Sequence, residues 1–158
     1  MHTVWQPHNS CGTSQVISPQ YLAGFLDGEG CILITAATNK RRWTLQVSVS
    51  QTELQILLDI QKEYKGTIHV MRHKSAKHSQ AWRLVWGSKE ALELLEKVFP
   101  YLQVKRPQAE LVLTEWKPLI QKPGGSKGFR GSVPLTPENE AKRLEVKGKI
   151  SSLNSTIN

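Results

Sequence analysis

The chain has 158 residues, the size of one average domain, and its 39% apolar and 22% charged residues suit a folded globular protein with no room for a second catalytic domain. No apolar run approaches the roughly 18 residues of a membrane span, no signal peptide or other targeting signal is seen, and two cysteines, Cys11 and Cys31, are too few for a disulfide framework, so an intracellular setting (cytoplasm, nucleoid or organelle) without a membrane partner is expected. A net charge of +8, with all 21 Lys and Arg lying after residue 39, points to an anionic partner but does not separate DNA, RNA and anionic lipid.

Residues 1–17, with Pro7, Gly12 and several Ser, Thr and Asn, show no periodicity and read as an irregular arm. A helix is expected from Ser18, which can accept an orphan N–H, while Pro19 fits the first helical position and Gly30 stops it. Two β-branched runs, Cys31 to Thr38 and Trp43 to Ser50, flank the polar 39–42 and read as a hairpin. Thr52 is the expected cap of a helix to about Tyr64, with Leu54, Leu57, Leu58 and Tyr64 facing inward and Gly66 punctuating its end. A second hairpin follows from Thr67 to His73 and Ala81 to Trp86, in which Trp82, Leu84 and Trp86 share a core face. Ser88 reads as the cap of a third helix with an apolar stripe of Ala91, Leu92, Leu95, Val98 and Phe99, which Pro100 helps to end. Gln108 to Leu119 continues in helical period, and beyond a Gly/Ser-rich loop at 124–131, Thr136-Pro137-Glu138 opens a short last helix. The order αββαββα makes an α+β fold with a four-stranded antiparallel sheet built from two hairpins. We take 18–122 as its core and 123–158 as a loop and short helical tail of the same domain.

Within the first helix Gly24 and Gly28 lie four apart on one face, and each costs roughly 1 kcal/mol against Ala. Small residues at that spacing let another backbone approach closely, which would offset the loss. Asp27 and Glu29 are a second anomaly, because acids in the last turn meet the negative end of the helix dipole and need a cation. If the neighbouring helix were its own copy in a second subunit, two Glu29 carboxylates would meet, and a hard divalent ion would relieve their repulsion. A Gly-rich helix stop with surface acids accounts for the same residues without any site.

The stretch Leu22 to Gly30, LAGFLDGEG, resembles the signature of LAGLIDADG homing endonucleases. Over roughly Pro19 to Ile120 the element order also resembles their single-motif, intron-encoded members, which act as homodimers. The resemblance implies a site-specific endonuclease that cuts double-stranded DNA at a near-palindromic target. It implies Glu29 as the metal-binding acid where the family usually has Asp, with the Gly28 carbonyl as a backbone contact to the metal. It further implies a dimer interface of Leu22, Gly24, Phe25, Asp27 and Gly28, in which Asp27 stabilises the helix pair. Gln51 resembles the family's water-positioning Gln and Lys105 its charge-stabilising Lys, although Gln51 can equally begin a helix cap and Lys105 be a solvated surface residue. An Arg that often follows that Gln has no equivalent here, where Leu54 and Gln55 stand. Mg2+ is the expected cofactor, with Mn2+ as a substitute and Ca2+ binding without supporting cleavage.

Strand alternation sorts side chains by face. Following the resemblance, Leu33, Thr35 and Ala37 face DNA, as do Arg42, Thr44, Gln46 and Ser48, which leaves Leu45, Val47 and Val49 for the core. On the second hairpin His69, Met71, His73 and Arg83 are assigned to DNA, and Lys40, Arg41, Lys74 and Lys77 at the hairpin tips to phosphates, which fix register without reading bases. An eight-residue strand spans roughly 26 Å, close to eight base pairs of major groove. Two such sheets place the dimer axis and the Glu29 pair over the minor groove between them, so hydrolysis there should leave 3′ overhangs. Two rivals use the same scaffold: an intron RNA maturase, and a DNA-binding regulator without chemistry.

Overall fold

The computed structural model describes residues 16–36, 43–71, 80–120 and 136–156. The first helix, α1 (Pro19–Glu29), begins as the sequence dictates: the Ser18 hydroxyl accepts the Tyr21 N–H at 3.2 Å and Pro19 occupies the first turn. It runs straight into strand β1 (Gly30–Ala36). The junction requires glycine, since a Cβ on Gly30 would run into the Leu26 backbone, whose Cα lies 2.9 Å away.

Strand β2 (Trp43–Gln51) pairs with β1, and helix α2 (Leu54–Tyr64) leads to strand β3 (Thr67–Met71), which pairs with β4 (Ala81–Gly87). The turn between α2 and β3 holds Lys65 and Gly66 at φ 62 and 90, the left-handed region that glycine tolerates. All pairings are antiparallel, and the sheet order is β1-β2-β4-β3, which joins the two hairpins through β2 and β4. Helix α3 (Ser88–Val98) passes through a 3-10 turn (Phe99–Tyr101) towards α4 (Arg106–Leu111), which continues through π turns (Val112–Trp116) into α5 (Lys117–Ile120); α6 (Pro137–Thr156) ends the described chain.

One face of the sheet carries the core. Ile32, Leu45, Val47, Val49, Leu84 and Trp86 are fully buried there against Leu22, Ala23 and Leu26 of α1, Leu57 and Ile60 of α2, and Leu95 of α3. Buried Trp86 donates its indole N–H to the Tyr64 carbonyl at 2.9 Å, which ties β4 to the end of α2. No helix among the described residues is long and apolar enough to cross a membrane.

Four local expectations fail. Thr52 is not the cap of α2: its N–H donates to Gln51 Oε1, and Glu53 precedes the helix without a side-chain cap. Starting at Leu54, the helix turns Ile60 inward and leaves Leu58 41% exposed. Ser88 lies inside α3, after Gly87. The last helix is not short, for it runs 20 residues. Its inward positions, Arg143, Val146 and Ile150, keep helical spacing, but one of the three is an arginine, so the apolar pattern is too sparse to announce its length.

Candidate active site and nucleic-acid interface

The two faces of α1 differ in what lies against them. Leu22 is fully buried in the chain's own core and is not an interface residue, because its position in the helical period points it at the sheet with Ala23 and Leu26. On the opposite face Gly24 and Gly28 are exposed, and a Cβ built on either would meet nothing within 4 Å among the described residues. Tyr21 and Phe25 flank them with rings stacked 6.2 Å apart, and Tyr21 is 49% exposed. Sequence reading missed Tyr21, although its spacing of three from Gly24 and four from Phe25 places it on that face.

Asp27 is engaged within its own chain. Its carboxylate accepts the N–H groups of Gln103 at 2.7 Å and Lys105 at 2.8 Å, fixing the turn that enters α4. Lys105 returns the contact: its Nζ donates to the Asp27 carbonyl at 2.8 Å. A cation is thereby placed on the carbonyl-rich end of α1, which relieves the dipole conflict of the acids in its last turn. Lys105 is 7% exposed, so it is not a solvated surface lysine.

With Asp27 engaged, Glu29 is the carboxylate of the motif left for a ligand. It is exposed and has no hydrogen bond or salt bridge among the described residues. One carboxylate and backbone carbonyls form a donor set of hard oxygens, suited to Mg2+ or Ca2+ rather than zinc. No group of three or more His, Cys, Asp or Glu that could hold a metal is found among the described residues.

Gln51 is half-buried at the end of β2, where its Oε1 accepts from Thr52 N at 2.9 Å and Thr52 Oγ1 at 3.5 Å. Its side chain is thus turned onto the next residue. Cys31 follows Gly30 on β1. Burial pushes its thiol up from the ordinary range, while the nearby charges of Lys105 and Arg83 pull it down.

The sheet face opposite the core presents Leu33 and Thr35 of β1, Thr44 and Gln46 of β2, His69 and Met71 of β3, and Arg83 of β4, all half-buried or exposed. Gln46, His69, Met71 and Arg83 line an open depression of about 510 Å³ together with Val70 and Val85. His69 pairs with Arg83 in register, and Arg83 Nε donates to Ser50 Oγ at 3.1 Å, which holds the guanidinium above the sheet. Ser48 is the exception. It lies on this face but is only 5% exposed, because its short side chain sits between its register partners Cys31 and Val85 and cannot reach beyond them. Ser50 and Val85 belong to this face and escaped the sequence reading, although alternation from Gln46 and Arg83 reaches both. Ala37, Lys40, Arg41, Arg42, His73, Lys74 and Lys77 lie outside the described residues.

The sequence model of the LAGLIDADG endonuclease family matches residues 22–109. The DNA endonuclease I-CvuI of Chlorella vulgaris is 37% identical over 101 residues, which span 59% of this chain and 60% of that protein. A crystal structure of I-CvuI with its DNA target in the presence of calcium superposes with a TM-score of 0.61 at 28% identity, over 85% of this chain and 80% of that one. The archaeal intron-encoded homing endonuclease I-Vdi141I, solved with DNA, shares the fold with a TM-score of 0.60 at 16% identity, over 85% of this chain and 82% of that one.

Proposed function

The chain belongs to the LAGLIDADG endonuclease family, and from that premise we propose that it is a site-specific, divalent-metal-dependent DNA endonuclease that works as a homodimer on a near-palindromic duplex. The observation that carries this reading is the pairing of an exposed Glu29, without a partner among the described residues, with a buried Lys105 whose ammonium is fixed on the carbonyl of Asp27.

Each chain offers one Glu29, and cutting two strands needs two sites, so two copies related by a two-fold axis supply them. The open Gly24 and Gly28 face lets their α1 helices approach. The sheets then lie in successive major grooves, and the Glu29 pair addresses the minor groove between, about 6 Å wide. Gly28 and Glu29 would hold the cation, which supplies positive charge to the reacting phosphodiester. Lys105 keeps an ammonium beside that point to balance charge on the phosphate, and Asp27 holds Lys105 there through the backbone. Gln51 can position water once its amide leaves Thr52. His69, Gln46 and Arg83 present donors and acceptors to base edges. Cutting across the minor groove leaves 3′ overhangs.

The test is incubation with Mg2+ and a randomised palindromic duplex pool, followed by sequencing of the cut ends. We expect one cut site with 3′ overhangs, lost in Glu29→Gln while binding of the selected duplex in Ca2+ stays within about threefold. Wild-type cutting by Glu29→Gln would remove that carboxylate from the reaction.

A further inference from the structure

Helix α6 shows no motif, yet its last turn reaches the segments that carry both proposed catalytic groups. Asn154 Nδ2 donates to the carbonyl of Ile32 at 2.9 Å, and its Oδ1 accepts from Gln108 Nε2 at 3.4 Å. Ile32 is on β1, three residues after Glu29, and Gln108 is on α4, three residues after Lys105. The side-chain amide of Asn154 therefore bridges the strand that continues from Glu29 and the helix that follows Lys105. Gln108 is fully buried and its Oε1 has no partner among the described residues, where the Asn154 contact is the one hydrogen bond of that side chain. A buried amide is retained at such a cost where it fixes one arrangement.

On the endonuclease reading above, we propose that Asn154 is a positioning residue that sets the placement of Lys105 relative to Glu29. Asp27 clasps α1 to the turn at Lys105 from one side, and Asn154 clasps β1 to α4 from the other. Only a side chain that donates and accepts at once can make both of its bonds. Aspartate has the same shape but brings a carboxylate against the Ile32 carbonyl, where a donor is required. A displacement of about 1 Å between reacting groups costs on the order of 100-fold in rate.

The test compares Asn154→Asp, Asn154→Ala and the neighbouring control Ser152→Ala in the full chain. With Mg2+ and the duplex selected from the randomised pool, single-turnover cleavage should fall at least about tenfold in both Asn154 variants, affinity in Ca2+ should stay within about twofold, and Ser152→Ala should match wild type. In a Lys105→Met background, Asn154→Asp should add little further loss, because the positioned group is gone. Additive losses, or equal losses of rate and affinity, would make Asn154 an ordinary structural contact and overturn the proposal. Amide exchange separates this outcome from failure of the endonuclease reading. Even if no duplex is cut, Asn154→Asp should speed exchange at Ala109, whose N–H bonds the Lys105 carbonyl at 3.1 Å, and leave α2 unchanged. Unchanged exchange at Ala109 would sink the positioning role on its own.

Discussion

On its inner face α1 buries Leu22, Ala23 and Leu26 without residual exposure, whereas on its outer face Gly24 and Gly28 leave room for side chains that are not there. The inner residues stabilise the chain in which they sit. The outer glycines weaken their own helix, each by roughly 1 kcal/mol, and no contact among the described residues offsets the loss. In the proposed dimer the second copy of this helix offsets that loss. The same helix therefore carries two sets of requirements, one internal and one external, and substitution on each face should read out separately.

The largest effect on folding belongs to the inner face. Leu22→Ala empties a fully buried site and should cost about 2 to 5 kcal/mol of monomer stability, measured as a drop in urea midpoint at unchanged slope. A cost below about 1 kcal/mol would mean that Leu22 is not core. Asp27 sits between the faces and sharpens the boundary. Because both its carboxylate oxygens bond backbone N–H groups of the same chain, Asp27→Ala should lower monomer stability by about 1 to 3 kcal/mol. If Asp27→Ala instead left unfolding untouched and only weakened dimers, the residue would belong to the outer face after all.

Gly24→Leu tests the outer face directly. The monomer has space for the side chain and gains helix propensity, so its unfolding should be unchanged or shifted by about 1 kcal/mol towards greater stability. Sedimentation should show the dimer lost, and cleavage with it. A dimer that persists in Gly24→Leu would move the interface elsewhere and take the minor-groove placement of Glu29 with it.

What the sequence made readable follows from the range of the interactions involved. Ser18, Pro19 and Gly30 act within a turn, and alternation in β2 and β4 acts within a strand, so α1 and the sheet were accessible from local pattern. The motif made Glu29 a candidate because its residues are consecutive. The intrachain bonds of Asp27 were not readable because its partners lie more than 70 positions away, at Gln103 and Lys105, and only tertiary structure brings them together. Leu22 was misassigned because the motif was read as one surface although a helix gives it two. Ser48 was placed on the correct face but at a depth that alternation does not measure. Helix α6 was underestimated because its few inward residues are spaced widely and its contacts are polar.

The smallest effect concerns the position of Lys105 beneath the outer face, and it needs neither DNA nor metal. The Cys31 thiol is raised by burial and lowered by the positive charges of Lys105 and, to a lesser extent, Arg83. Removing the first charge leaves burial less opposed, so Lys105→Met should push the thiol further up, because the thiolate loses its larger stabilising neighbour. The pH dependence of alkylation by iodoacetamide reads this, in a Cys11→Ser background so that one thiol reports. The alkylation midpoint should move to higher pH in Lys105→Met, and less far in Arg83→Met. If Lys105 in solution swings away from the Asp27 carbonyl into solvent, its charge is screened at Cys31 and the Lys105→Met midpoint coincides with that of the parent. Such a result would separate Lys105 from the end of α1, and the dipole conflict of Asp27 and Glu29 would then be relieved by the metal alone.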